Sequence, residues 1–597
     1  MKFKILKKAK TCLCVCLLLL IFSCTKKQEN YKIINQPSKE IEKLYNGFLT
    51  NAILNLDSME GETLENKKQH YAKARKNFKF LEPILAHTDK NNYKSLNAPN
   101  IISVKGEVSF DTRVLNPIGF QVIEENLYNQ KLDTTALKLS INATSGRLKL
   151  IKKNLLLKLK DYHVIWLLRE QLVRIATTGI TGFDSPVLNQ SLLESSYTYE
   201  TIIDILKINK ANFKSPELLE TFISSIKKSQ KALIYNFDTF DRFDFIKNHI
   251  DPQLKTLVAV QKDWEVTFPF EMALSNNLTT LFSKDAINQN YFTDHLSDTS
   301  QLAKKIALGK LLFNDKSLSK DHNMACATCH IKELAFTDGK KVFNKNQARN
   351  TPTVTYSAYQ RALFMDGRAG SLEGQIVSVV KNHNEFNMSM DSVVNRVTNN
   401  KVYKTKMANL YTNNRTDFNI RHAISSYIRT LNSFDSKFDK NIRGEENTLT
   451  TRERRGFNLF MGKALCATCH FAPIFNGTVP PIFKDTELEF IGVPAKNDTI
   501  NAQISMDLGR YNLFKTEERK HFFKTPTIRN IELTAPYMHN GVYNSLEEVV
   551  DFYNRGGGKG IGMDLPLQTL PFDNLKLSKK EQEDLVLFLK TLTDKTY

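Results

Sequence analysis

At 597 residues the chain is long enough for more than one domain. Its formal net charge of +20 would suggest nucleic acid in a cytosolic protein, but the start of the chain carries export features that exclude that partner. The lysines then read as a solvated surface, or as an attraction for anionic lipid or an acidic protein. Of eight cysteines, four fall in two C-x-x-C-H motifs, three (Cys12, Cys14, Cys16) in an N-terminal apolar run, and the last is Cys24, which leaves none for a separate disulfide framework.

In chain order, Lys2, Lys4, Lys7, Lys8 and Lys10 form a basic region, and Leu13 to Phe22 is an apolar run too short to span a bilayer comfortably. It ends at Ile21-Phe22-Ser23-Cys24, which resembles a bacterial lipobox. Residues 1–23 are therefore expected to be a lipoprotein signal peptide, with lipid on Cys24 tethering the mature chain in the bacterial cell envelope, on the periplasmic side. An uncleaved anchor helix or an ordinary signal peptide would export the chain equally well. Residues 24–300 read as helical: Ile41, Leu44, Tyr45, Phe48, Leu49 and Ile53 recur at the spacing of one buried helix face. Similar patterns follow over Leu148 to Leu159, Val164 to Ile175 and Ile202 to Leu206, so the expectation is a helical bundle. Within it, Gly119-Phe120-Gln121-Val122-Ile123-Glu124 is similar to the G-x-H-x-x-E motif of imelysin-like envelope proteins. Gln121 stands where that family has histidine, which puts an inherited metal role in doubt.

From about residue 303 turn residues punctuate shorter helices. Leu308-Gly309-Lys310-Leu311-Leu312-Phe313 leads to Cys326-Ala327-Thr328-Cys329-His330. Thr450-Thr451-Arg452-Glu453, a capping-box pattern, opens a helix leading to Cys466-Ala467-Thr468-Cys469-His470, 140 residues further on. C-x-x-C-H is the attachment site of a c-type haem: both cysteines form thioethers with the vinyl groups, and the histidine lies beneath the iron. Two sites imply two covalently bound haems. The competing reading is one zinc site or two disulfides, which need no histidine at that position. The chain closes with Ser578 and Glu581 capping a helix whose face is Leu585, Phe588, Leu589 and Leu592. The expected fold is mainly α, an N-terminal helical bundle followed by two cytochrome c-like haem domains, 301–445 and 446–597.

These residues carry a family resemblance. The two haem sites, Ala335-Phe336-Thr337-Asp338-Gly339, Arg349-Asn350-Thr351-Pro352-Thr353, Asp366-Gly367-Arg368-Ala369 and Thr534 to Gly541 occur in the order found in the bacterial di-haem cytochrome c peroxidases. That family includes the di-haem oxidase of methylamine utilisation. The resemblance implies that His330 holds the reactive haem and His470 the electron-relaying one. It places Glu385 as the distal acid/base and Gln375 as a distal glutamine, and it makes Asn350, Thr534 and Pro536 ligands of an inter-haem calcium ion. Three positions depart from the pattern. Met365 stands where an inter-haem tryptophan is usual, and Val342 where a histidine blocks the resting peroxide haem. Tyr553 replaces the relay haem's distal methionine, as in the methylamine-utilisation oxidase; Met563 is the rival ligand. The expected activity is reduction of hydrogen peroxide to water with electrons from a small cytochrome or cupredoxin. The alternative is a di-haem oxidase acting on an organic or protein substrate through a high-valent di-haem state. A plain electron carrier is disfavoured, because it has no use for an open iron beneath Glu385.

Overall fold

The computed structural model describes residues 36–109, 111–293, 300–344, 348–571 and 573–596. The signal segment and Cys24 lie outside the described residues. The fold is mainly α, with two two-stranded antiparallel sheets among the described residues: β1 (Ser103–Lys105) with β2 (Arg113–Leu115), and β3 (Leu488–Glu489) with β4 (Phe523–Lys524).

The first half holds α1 (Gln36–Asp57), α2 (Leu64–Thr88), α3 (Phe120–Tyr128), α4 (Thr134–Lys153), α5 (Asp161–Arg174), α6 (Ser191–Ile208), α7 (Pro216–Ala232) and α8 (Asp251–Asp263). On α1 the expected face is inward, with Ile41, Tyr45, Leu49 and Ile53 buried. The apolar run Leu148 to Leu159 does not stay helical. Asn154 caps α4 by donating to the Leu150 and Ile151 carbonyls, and the rest runs extended along α1. There Leu157 N–H donates to Glu42 Oε2 (2.7 Å) and Leu159 N–H to Ser38 Oγ (2.9 Å). Alternating leucines on an extended strand satisfy the same packing as a helix would, but their backbone groups must find partners in a neighbour.

The motif Gly119 to Glu124 serves the local fold. Glu124 is buried and accepts from Tyr71 Oη (3.0 Å), Ser185 Oγ (3.1 Å) and the N–H groups of Val187 and Leu188 (both 3.0 Å), while Gln121 Nε2 donates to the Asn97 carbonyl (2.9 Å). Beside it, Arg75 pairs with Glu194 (2.6 Å) and Lys79 with Asp184 (2.6 Å) and Glu82 (2.7 Å), all buried. With its lone pairs so used, Glu124 holds the loop at 184–188 in place.

The second half contains α9 (Leu302–Phe313), α10 (Leu372–Lys381), α11 (Thr416–Ile428), α12 (Thr451–Met461), α13 (Leu546–Asn554) and α14 (Lys579–Lys590). The expected capping boxes at Thr450/Glu453 and Ser578/Glu581 are both formed.

Two apolar cores result. One, from Leu308 to Leu431, surrounds the first haem motif; the other joins the helices of residues 36–292 to the segment 434–592 around the second. At the join, the buried Arg242 donates to the carbonyls of Ile180 (2.8 Å), Phe237 (2.9 Å) and Phe240 (3.2 Å), and Gly462 lies flat over its guanidinium. A Cβ there would fall 2.4 Å from Arg242 Cζ. After α5 the chain widens into a π turn, Ile175–Gly179, which lies against the turn Cys466–Thr468.

In the first core α9 crosses α11 at Gly309, where a Cβ would lie 1.8 Å from the Ala423 carbonyl oxygen. Gly309→Ala should therefore lower stability by about 1–3 kcal/mol, as other overpacked contacts do. Chemical denaturation read by circular dichroism checks this, and an unchanged midpoint would show that the crossing has slack.

Candidate active site: two cavities with a common wall

Both C-x-x-C-H motifs fold the same way. Cys326–Cys329 is a single helical turn, after which Ile331 N–H donates to the Thr337 carbonyl (3.0 Å) and Phe336 N–H to the Ile331 carbonyl (2.8 Å). Ala335 and Phe336 both sit at positive φ (49° and 60°), a turn that brings the Phe336 carbonyl to His330 Nδ1 at 3.0 Å. In the second motif Phe471 N–H donates to the Asn476 carbonyl (2.9 Å) and Phe475 N–H to the Phe471 carbonyl (2.7 Å). Phe475 also has positive φ (54°), and His470 Nδ1 donates to the carbonyls of Pro526 (3.1 Å) and Phe475 (3.3 Å). Both rings make their hydrogen bonds at Nδ1, which leaves Nε2 the free nitrogen. Burial lowers both imidazole pKa values, that of His470 to about 4, so each is the neutral ring an iron ligand must be.

His330, Cys326 and Cys329 line a cavity of about 430 Å³, and His470, Cys466 and Cys469 one of about 250 Å³. Burial pushes the thiols of Cys326, Cys329 and Cys466 up to about 12, the reverse of the electropositive setting that makes a thiolate metal ligand. The four cysteines form no disulfide, and among the described residues no three His, Cys, Asp or Glu side chains gather as a metal cluster. The two cysteine pairs line different cavities, so they do not converge on one zinc site. Two mainly apolar cavities, each with a pair of neutral thiols and a histidine offering Nε2, fit a covalently held haem.

The polar groups expected around the first cavity are present. Gln375 on α10 and Glu385 in the loop after it both line the cavity. Asn382, which the sequence reading missed, also lines it and donates from Nδ2 to Glu385 Oε1 at 2.7 Å. Burial raises the Glu385 pKa from its ordinary value, opposed by the Asn382 bond and the Arg368 charge. Val342 lines neither cavity.

Asn350, Thr351, Pro352, Thr353, Gln360, Met365 and Lys524 line both cavities and so form their common wall. Arg349 and Arg368 brace it: Arg349 donates to Asp366 (2.6 Å) and Asp507 (2.5 Å), and Arg368 to Asp366 (2.6 Å). The residues expected at a calcium ion meet differently. Asn350 Nδ2 donates directly to the Pro536 carbonyl at 2.8 Å, while Thr534 Oγ1 donates to Ile531 O at 3.3 Å. Asn350, Thr534 and Pro536 share the lining of the second cavity, and oxygen-only ligation of a cation would use the two main-chain carbonyls with the Asn350 amide turned to present Oδ1.

On the second cavity, Tyr553 of α13 is in the lining and its phenol makes no hydrogen bond to the described residues, whereas Met563 is buried outside the lining. Burial holds the Tyr553 phenol well above its ordinary pKa. Two further lining residues have no assigned role in the sequence reading. Met538, at φ 69°, belongs to the expected Thr534–Gly541 stretch. Glu489, whose carboxyl burial pushes up to about 7, lies on β3 in register with Phe523. The long-range β3–β4 pairing and the hydrogen bonds between Phe490 and Thr569 bring it there.

Residues 303–447 match the family model described as "Di-haem cytochrome c peroxidase". The cytochrome-c peroxidase IdrP1 of Pseudomonas sp. (strain SCT) is 35% identical over 317 residues, covering 50% of this chain and 82% of the relative. The methylamine utilization protein MauG of Methylorubrum extorquens is 35% identical over 296 residues, covering 48% and 78%. A crystal structure of a MauG-like protein associated with microbial copper homeostasis aligns at 28% identity with a TM-score of 0.43, covering 51% of this chain and 91% of that one.

Because each motif feeds its own cavity, replacing Cys466 and Cys469 together with serine should halve the covalently attached haem per chain, read by haem staining of the denatured protein and by pyridine haemochrome content. The same change at Cys326 and Cys329 should remove the other half. Full retention in either variant would break the assignment of one haem per motif.

Proposed function

The chain belongs to the di-haem cytochrome c peroxidase family, and from that premise we propose that it reduces hydrogen peroxide to water at the first cavity, with electrons passed in through the second from a small cytochrome or cupredoxin. The observation that carries this reading is the grouping of His330, Gln375 and Glu385 around one cavity, with Glu385 held by Asn382. A haem held by Cys326, Cys329 and His330 would supply the iron and the electrons that the reduction requires. The protein supplies the proton chemistry. Peroxide needs two electrons and two protons to become two waters, and the O–O bond breaks most easily when one oxygen loses its proton and the other gains it. Asn382 occupies Glu385 Oε1, so Oε2 is the oxygen that takes and returns this proton. The raised pKa brings the carboxyl closer to neutrality, where a transfer in both directions costs least. Gln375 offers an amide in the same cavity and orients the peroxide.

For the second cavity we assign His470 and Tyr553 as the residues that would hold the second haem, with Met538 as a sulfur alternative in the same lining. The same phenol favours a second reading, a di-haem oxidase drawing electrons from an organic or protein substrate, because a phenolate ligand stabilises the higher oxidation states of iron whereas methionine raises the potential. In either reading the chain works in the periplasm, lipid-anchored at Cys24, with the helices of residues 36–292 packed against the second haem domain.

Peroxide turnover by the full-length protein with a panel of reduced cytochromes, cupredoxins and small organic donors separates the two readings. Consumption with a protein donor is expected; consumption with organic donors alone would replace the peroxidase by the oxidase. Glu385→Gln should lower turnover by about 10²–10⁴-fold with both haems retained. In the parent, turnover should fall as pH drops through the raised Glu385 pKa, because the base form is lost, and this acid limb should be absent in the variant. An acid limb that persists unchanged in the variant would remove Glu385 from the role. Tyr553→Phe should change the optical and electron paramagnetic spectra of the second haem alone; unchanged spectra would exclude ligation by the phenol.

A further inference from the structure

The wall between the cavities contains a charge that the proposed peroxidase chemistry does not use. Lys524, on β4, is 7% exposed, lines both cavities, and donates its backbone N–H to the Met365 carbonyl at 2.8 Å. Its ammonium contacts Gln360 Oε1. Of the lysines and arginines lining the two cavities, Arg349 and Arg368 are paired with Asp366 and Asp507, and Lys524 alone forms no ion pair among the described residues. Asp366, the carboxylate that acts on it electrostatically, is already bound by both arginines.

A buried ammonium resting on one neutral amide, near a carboxylate already bound by two arginines, recovers little of its desolvation cost from its protein neighbours. Burial accordingly lowers its pKa to about 8. The compensation must come from what fills the cavities. A haem tied through its vinyl groups at the cysteines carries two carboxylates on the opposite edge of the ring, and these need cations. We propose that Lys524 is a shared counter-ion of the two haems, pairing with a propionate carboxylate from each and raising both reduction potentials by its charge. Its residence in the common wall is what lets one side chain serve two groups. The inference rests on the reading that each cavity holds a haem, and concerns positioning and potential, not proton transfer to peroxide.

The test uses the full-length protein after its haem content has been measured by pyridine haemochrome. A parent with fewer than two haems per chain would defeat the underlying reading and not this inference. In a two-haem preparation, optical redox titration of Lys524→Met should shift the reduction equilibrium of each haem towards the oxidised form by about tenfold, or 59 mV for a one-electron couple. Lys524→Arg, which keeps the charge, should restore both. Should the methionine variant mature without its haems, Lys524→Gln, which keeps an amide contact with Gln360, is titrated instead. Unchanged potentials in the neutral variant, a shift at one haem only, or an arginine variant that behaves like methionine would each overturn the proposal.

Discussion

The hydrogen bond from each histidine Nδ1 to a main-chain carbonyl is the constraint on which the site depends. It fixes which nitrogen remains for a metal and the direction the ring faces, and it is made by a carbonyl five or six residues downstream. To bring that carbonyl back under the ring the chain must turn through the left-handed region, at Phe336 in one motif and Phe475 in the other, where a bulky side chain is disfavoured. The strain is tolerated because each phenylalanine is buried, Phe336 in the first core and Phe475 in the second. Packing thus secures the turn, the turn secures the imidazole, and the imidazole opens Nε2 to the cavity.

From this common device the two cavities diverge through what surrounds them. The first is enclosed by a small core of its own and receives polar groups from α10 and the loop after it. The second is built into the larger core and receives Tyr553 from α13 and Glu489 from β3. Between them stand an apolar thioether, Met365, and a cation, Lys524, linked through the backbone. The resemblance places an indole at Met365. With methionine there, the wall carries a thioether and a lysine between the two cavities in place of an aromatic ring.

What was legible in the sequence was what depends on short spacing. The C-x-x-C-H motifs, the capping boxes of α12 and α14 and the apolar face of α1 are each written within a few residues. Glu385 and Gln375 were reachable only through their register in the resemblance, since a loop carboxylate has no local signature. Lys524 and Glu489 were not legible, because the pairing of β3 with β4, more than thirty residues apart in the chain, is what carries them to the cavities. The run from Leu155 to Leu159 misled for a related reason: its partners, Ser38 and Glu42, lie on α1 at the far end of the half-domain. Glu124 shows the converse, a motif-like residue whose surroundings turn it into a structural acceptor.

The larger core also bears on how electrons reach the second cavity. Ala467, inside the second attachment turn, is fully buried, while Ala327, its counterpart in the first, is only half-buried. The difference comes from the N-terminal half. The π turn Ile175–Gly179 lies against Cys466–Thr468, Phe183 meets Phe471 edge to face at 6.1 Å, and the Phe237 ring packs so closely on Gly182, next to Leu465, that a Cβ there would be 2.9 Å from it. The helices therefore cover the edge where the thioether bonds would form, which in an isolated domain would be open to a partner. A soluble donor approaching from that side meets the surface of residues 36–292 instead of the attachment turn. The N-terminal half is accordingly part of the second cavity's enclosure, and any change that loosens Arg242 from Gly462 acts on that cavity before it acts on the first.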